Sequence, residues 1–442
     1  MTATLPAQLS AEVDRLAAAE QSTGRAPSLL LAVGRSGVRQ HLSAVGRDPE
    51  PTADTQYRIG SITKTFTATL VMQLRDDGRL DLDDRLDQHL PGTPVGAVRL
   101  RHMLAHISGL QAEPDGPWWE RSPGVPVETL LAGLTAGKVA LPAGRWRHYS
   151  NLAYALLGAM VERITGERWS ERLEHRILGP LGLNRTTYSA QAPAARGWLV
   201  HPLQDTRREE PTYDAGAMAP AGQLWSTADD LFRWARVLAE GAGGVLAPET
   251  AAEMRAPVAM VDPDSWTLAS GLGLILPRSG ERVYCGHSGS MPGFVSCLAV
   301  HPATGWSTVA FANCYTGVGI TSLAHKALGA VLDAVPESPT PWAPQDDPPA
   351  DIAPLTGRWW WMGEEVTVRY DPAARRLILT SAYDDEGDMS SFEHTDRDLW
   401  RCVEGLDIGE DLRVERDDAG DVVALEIRTF VFVRDPWPAD PR

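Results

Sequence analysis

Gly60-Ser61-Ile62-Thr63-Lys64-Thr65-Phe66-Thr67-Ala68 is the stretch on which the reading of this chain turns. A short extended segment, Thr55-Gln56-Tyr57-Arg58-Ile59, precedes it. Ile62, Phe66, Leu70 and Leu74 then recur every four residues, and that spacing predicts a helix. The run stops at Asp76-Asp77-Gly78, with Gly78 placed as a C-terminal cap. Ser61 therefore falls at the helix N-terminus, and Lys64 lies one turn later on the same side.

A serine hydroxyl is a poor nucleophile until a base removes its proton. An amine three residues along a helix can reach it, and burial lowers a lysine pKa so that the neutral amine becomes available. Helix N-terminal N–H groups favour the negative charge that develops in acyl transfer. By itself Ser-x-x-Lys is a short pattern, and a serine at a helix start is usually a cap. Composition sharpens it. Of 41 Lys plus Arg, three are lysine (Lys64, Lys138, Lys326), which leaves 41 − 3 = 38 arginines. A lysine among apolar residues, in a chain that elsewhere uses arginine, suits an amine that must lose its proton.

The 442 residues suffice for two or three domains. A net charge of −17 argues against nucleic acid or an anionic membrane as partner. No run approaches the ~20 apolar residues of a membrane span. Residues 1–21 lack a basic segment followed by an apolar core and a cleavage site, so no signal peptide is expected and the location is read as cytoplasmic. Cys285, Cys297, Cys314 and Cys402 show no C-x-x-C spacing, which indicates neither a zinc site nor a redox pair.

Outward from the Ser61 stretch, residues 8–21 have helical spacing and are followed by two strands, Ser28–Val33 and Val38–Ala44. Helices are expected at 98–106, from Tyr149-Ser150-Asn151 onward, and after Ser226-Thr227. A loop rich in Pro, Gly and Trp runs from Glu113 to Pro126, and its Trp118-Trp119 pair either lines a cleft or covers the core. Strands return at Val283–His287, Gly293–Val300 and Ser307–Asn313, before a helix through Ile320, Leu323, Ala327 and Val331. The fold class expected is α/β (α+β): an antiparallel sheet built from both ends of the domain, flanked by its N- and C-terminal helices, with an inserted helical region. Seven prolines between Val335 and Pro354 mark a linker. Alternating runs at Val366–Tyr370, Arg376–Thr380, Leu399–Val403, Leu412–Glu415 and Val423–Val433 then predict a small all-β barrel or lipocalin-like domain. The expected organisation is 1–335, linker 336–354, and 355–442.

Two further motifs follow the first in order: Tyr149-Ser150-Asn151 and His287-Ser288-Gly289. Taken singly, Tyr149 reads as a core or capping tyrosine and His287 as a buried strand histidine. Together with Ser61-x-x-Lys64 they resemble the class C β-lactamase-like serine hydrolases, a group related to penicillin-binding proteins, D-peptidases and carboxylesterases. The segment from His102 to Leu110, Pro180-Leu181-Gly182-Leu183 and Gly293-Phe294 resemble the same family, and the likeness covers roughly residues 8–335. It implies a β-lactamase/transpeptidase-like fold, with Ser61 as the acylated nucleophile and Lys64 and Tyr149 sharing the proton chemistry. It implies further that Asn151 binds the substrate amide, and that Gly289 and Ser290 belong to the substrate-binding edge. The N–H of Ser290 would join that of Ser61 in an oxyanion hole. His287 stands where the lactamases have lysine, which points away from antibiotic hydrolysis. The chemistry so implied calls for no metal or cofactor. The partner is a small-molecule or peptide ester or amide. The alternatives are a transacylase or peptide cyclase with an amine acceptor, and a covalent sensor that acylates without turnover.

Overall fold

The structure is a computed structural model that describes residues 5–46, 50–242, 244–335, 342–344, 347–381 and 390–437. Residues 336–341 and 345–346 of the expected linker lie outside the described residues. The chain divides into two compact units, residues 1–337 and 338–442. Among the described residues no helix is long and apolar enough to cross a membrane.

The first unit is organised around a nine-stranded antiparallel sheet. Its main path runs Val38–Gly46, Ser28–Arg35, Trp306–Ala312, Phe294–His301, Cys285–Met291, Ile275–Ser279, Leu268–Ser270, Ala259–Met260. The first strand after the N-terminal helix thus pairs with the last strand before the C-terminal one, Leu30 opposite Phe311. Both faces of the central strands are buried. Leu29, Leu31 and Val33 pack with Leu9, Val13 and Ala17 of the Ala7–Gly24 helix and Leu323, Ala327 and Val331 of the Ile320–Ala334 helix. Leu30 and Ala32 point the other way, toward the inserted helices. The same alternation sends Val295 and Cys297 to one core and Phe294 and Leu298 to the other. The sheet is therefore sandwiched, and its strands read as apolar runs rather than as alternating ones.

The inserted region places the Thr63–Asp76 helix at its centre, with every residue from Thr63 to Leu74 buried. Phe66 stacks on Trp234 at 4.0 Å between ring centres. The Asn151–Thr165 helix packs Leu152, Leu156 and Met160 into the same core, capped by the Ser150 hydroxyl, which accepts from the Ala153 N–H. Burying these faces supplies the stability that such short helices lack alone.

The second unit is a closed barrel of eight antiparallel strands, from Gly357–Trp361 to Phe430–Val433. Trp360 opposite Val433 closes it. Its interior is filled by Trp359, Leu377, Leu379, Phe392, Trp400, Leu412, Leu425 and Phe432. All four cysteines are buried and unbridged.

Candidate active site

Ser61 does not open the α-helix directly. It sits in a 3-10 turn, Gly60–Ile62, that runs into the Thr63–Asp76 helix. Gly60 has φ +51, and a β-carbon there would stand 2.6 Å from both N and O of Ser290. A β-carbon on Gly289 would stand 1.9 Å from the Ile59 carbonyl oxygen. Glycine at both positions lets the turn bearing Ser61 press flat against the Cys285–Met291 strand. The Ser296 hydroxyl, from the neighbouring strand, donates to the Ile59 carbonyl at 2.8 Å and fixes the contact. Where the sequence suggested a strand ending at His287, the observed strand continues through the third motif to Met291.

Lys64 is wholly buried and donates from Nζ to the Ser61 Oγ at 2.9 Å and to the Ala221 carbonyl at 2.7 Å. Burial pushes its ammonium down to about 7, while the nearby Glu113 and Glu120 carboxylates pull it back up. Nζ also stands over the rings of Tyr149 and Tyr154, 4.9 and 5.6 Å from their centres. Burial raises the Tyr149 phenol, opposed by a hydrogen bond with Ser61 and by the Arg147 charge. Near neutral pH the amine is thus the member of the pair that can be without its proton.

The Tyr149-Ser150-Asn151 segment is held by residues 106–113. His106 accepts the Ser150 N–H on Nδ1 at 3.1 Å, and its ring stacks on Tyr149 at 4.2 Å. The Asn151 N–H donates to the Ala112 carbonyl at 2.8 Å. Asn151 Nδ2 donates to Glu113 Oε1 at 2.6 Å, and Trp119 Nε1 donates to Glu113 Oε2 at 2.7 Å. That bridge uses one N–H of the amide and leaves Asn151 Oδ1 buried without a protein partner. A buried acceptor of this kind invites a substrate N–H. Trp119 is buried with the core, whereas Trp118 is exposed and stacks with Arg121.

His287 is buried, and its Nδ1–H donates to the Ser288 carbonyl. Burial, helped by the Lys64 and Arg147 charges, pushes the imidazole down to about 3, so it is neutral and presents Nε2 as an acceptor. Ser61, Tyr149, His287, Gly289 and Ser290 line one cleft of roughly 520 Å³. The structure thus brings together Ser61, Lys64, Tyr149, His287, Gly289 and Ser290, with Asn151 on the adjoining motif.

Four residues in or around the site escape a reading of the three motifs: His106, Glu113, Glu120 and Arg147. Glu120 is pushed up to about 7 by burial and by Glu113, against the pull of Lys64 and Arg58. Arg147 stands two residues before Tyr149, and both side chains line the same cleft. The two glutamates reach the site across loops, with no local signal.

Residues 13–330 match the protein family described as Beta-lactamase, and residues 348–434 match a domain family of unknown function. Penicillin-binding protein 4 of Amycolatopsis lactamdurans is 31% identical over 333 residues, which cover 70% of this chain and 85% of that protein. The D-alanyl-D-alanine-carboxypeptidase/endopeptidase AmpH of Escherichia coli K12 is 30% identical over 200 residues, 43% of this chain and half of its own length. Among solved structures, a D-stereospecific amidohydrolase from Streptomyces sp. superposes with a TM-score of 0.63 at 26% identity, covering 72% of this chain and 98% of that one. The penicillin-binding protein homologue of Pyrococcus abyssi shares the fold at 21% identity and a TM-score of 0.65, over 96% and 99% of the two chains.

Proposed function

This chain belongs to the Beta-lactamase family, and on that premise we propose that it is a serine hydrolase that forms an acyl-enzyme on Ser61 and hydrolyses an ester or amide. The observation that carries the reading is the contact of Ser61 with a buried lysine whose amine is pushed down to about 7. A lysine with that environment is a base at working pH rather than a fixed cation.

Lys64 and Tyr149 together accept the Ser61 proton as Oγ attacks the carbonyl carbon, and their titrations are coupled. The developing oxyanion is held by the N–H groups of Ser61 and Ser290, a role supported by the close approach of Gly60 to the Ser290 backbone. Tyr149 passes a proton to the leaving atom, and water then attacks the acyl-enzyme by the reverse path. Asn151 Oδ1 receives an N–H of the acyl part. The relatives named for D-alanyl-D-alanine peptidase and D-stereospecific amidohydrolase activities favour a substrate bearing a D-residue.

A fluorophosphonate probe tests the reading. One adduct per chain is expected, mapped to Ser61 and lost in Ser61→Ala, together with multiple turnovers of a small ester in water. A burst of one equivalent and no turnover would make the protein a covalent sensor. Turnover that needs an added amine would make it a transacylase.

A further inference from the structure

Lys138 is a buried cation that the reaction leaves unused. Of the three lysines, Lys64 touches Ser61 and Lys326 is exposed, whereas Lys138 is 5% exposed and lies outside the catalytic cleft. It lines a second cavity, of roughly 220 Å³, that shares no wall residue with that cleft. Pro117, Trp119, Leu130, Leu134 and Met218 give this cavity apolar walls. The ring of Trp119 reaches from it toward the catalytic turn. A β-carbon on Gly222 would stand 3.3 Å from the edge of that ring and 3.7 Å from the carbonyl carbon of Gly60, next to Ser61.

The ammonium of Lys138 has two partners of unequal firmness. Nζ donates to Gln111 Oε1 at 3.0 Å and pairs with the carboxylate of Asp115, whose side chain is exposed. An ammonium withdrawn from water needs a counter-charge. An exposed carboxylate meets that need weakly, since water competes for it. Asp115 itself lines the cavity, so an anion entering there competes with it for one place. An anion with an apolar body has the advantage, because its body leaves water as its carboxylate meets the ammonium.

Two hydrogen-bonded paths lead from these walls to the second motif. Trp119 Nε1 donates to Glu113 Oε2 at 2.7 Å, and Glu113 Oε1 accepts from Asn151 Nδ2 at 2.6 Å. Gln111, the partner of Lys138, accepts the Ser150 hydroxyl on its carbonyl at 2.6 Å and donates its N–H to the Lys138 carbonyl at 2.8 Å. An occupant that packs on Trp119 and takes over Lys138 thus acts on both paths. We propose that this cavity is a second binding site, which takes a small apolar carboxylate and reports its occupancy to the Tyr149-Ser150-Asn151 motif. The binding is independent of the reading of Ser61, whereas the coupling rests on Asn151 serving that reaction.

The test uses phenylacetate, phenylacetamide and phenethylamine, which share a ring and differ in charge. Each is titrated calorimetrically into the full chain after Ser61 has been blocked with a fluorophosphonate. Phenylacetate should bind one per chain, about tenfold or more tighter than the other two, as a charge-assisted contact requires. Lys138→Met should abolish that preference. Gly133→Leu should abolish binding of all three: Gly133 lines the cavity at φ −80, and its β-carbon would meet nothing nearer than 3.5 Å, so the added side chain fills space without strain. Ser61 labelling checks that each variant is folded, and Gly133→Leu decides alone should Lys138→Met fail to fold. Coupling is read with nitrophenyl esters of N-acetyl-D-alanine and of acetic acid, of which only the first has an acyl N–H for Asn151. Saturating phenylacetate should change kcat/KM for the first by about twofold or more and leave the second unmoved. Equal binding of the three probes, a preference kept in Lys138→Met, binding that survives Gly133→Leu, or binding lost once Ser61 is blocked would each overturn the site. An unmoved ratio of the two esters would overturn the coupling. None of these outcomes touches Ser61 acylation, which fails only if no Ser61 adduct forms.

Discussion

The Nζ of Lys64 stands 2.9 Å from the Oγ of Ser61, and one turn of backbone fixes both ends of that contact. The 3-10 turn carrying Ser61 runs straight into the helix carrying Lys64, so the backbone holds the two residues on one side. The amine's second acceptor is the Ala221 carbonyl. Arginine at this position would keep a positive charge but could not surrender its proton at working pH. Lys64→Arg should therefore be nearly as damaging as Lys64→Ala, with a loss on the order of a hundredfold or more in kcat/KM. Retention of most activity in Lys64→Arg would make Lys64 a structural cation.

The pH profile follows from the same amine. Burial pushes Lys64 down to about 7, and the base is active only when it is unprotonated. Activity should thus be low at acidic pH and rise through about pH 7 in kcat/KM. His287, already neutral above about 3, adds no limb in this range. The Glu120 charge raises Lys64, so Glu120→Gln should move the rising limb to lower pH. A limb that stays put, or moves to higher pH, would contradict the coupling.

Gly60 offers a sharper structural test. Its φ of +51 and the 2.6 Å approach of a β-carbon to the Ser290 backbone leave no space for alanine. Gly60→Ala should cost about 1–3 kcal/mol in backbone strain and push the turn that carries Ser61 away from the Cys285–Met291 strand. The expected result is a folded protein of lower melting temperature whose activity falls far more than its stability. Wild-type activity in Gly60→Ala would refute the proposed oxyanion role of the Ser290 N–H.

Penicillins and cephalosporins should be poor substrates. The residue at the head of the third motif is a neutral imidazole, not a lysine, and its polar hydrogen is committed to the Ser288 carbonyl. Steady-state hydrolysis of both drug classes measures this directly. An efficiency near the diffusion ceiling of about 10⁸ M⁻¹s⁻¹ would refute it.

What the sequence revealed divides along the range of the interactions. The four-residue spacing of Ile62, Phe66, Leu70 and Leu74 marked a helix because each of them enters one core. The central strands were legible as apolar runs because they are buried on both faces. The 3-10 turn at Gly60–Ile62 was not legible, since it is imposed by the strand pressed against it. Glu113 fell within an irregular loop, and nothing local couples it to Asn151. In the barrel, Gly357–Trp361 and Ser390–Asp396 went unread. The first carries three adjacent tryptophans and the second ends in Glu393-His394-Thr395-Asp396, so neither alternates cleanly. The run read as one strand at Val423–Val433 is a hairpin turning at Arg428, a residue with φ +61 that carries no glycine signal.

Trp359 anchors the core of the barrel. It is wholly buried among Leu377, Leu379, Phe392 and Trp400, its Nε1 donates to the Leu355 carbonyl at 2.8 Å, and Arg434 lies 3.7 Å over its ring. Trp360, one residue on, points to the opposite face of the strand and closes the barrel through its pairing with Val433. Truncating Trp359 removes a large side chain from a small core, and a loss of about 3–5 kcal/mol is expected from the cavity alone. A core of this size rarely holds more stability than that. Trp359→Ala should therefore unfold the barrel while residues 1–337, which bury their own two cores, stay folded. Calorimetry should show the barrel's transition lost or shifted down and the larger one unmoved, and Ser61 should still take one fluorophosphonate. A chain ending at Glu337 should behave in the same way. Loss of Ser61 labelling in either protein would show that residues 1–337 need the barrel in order to fold.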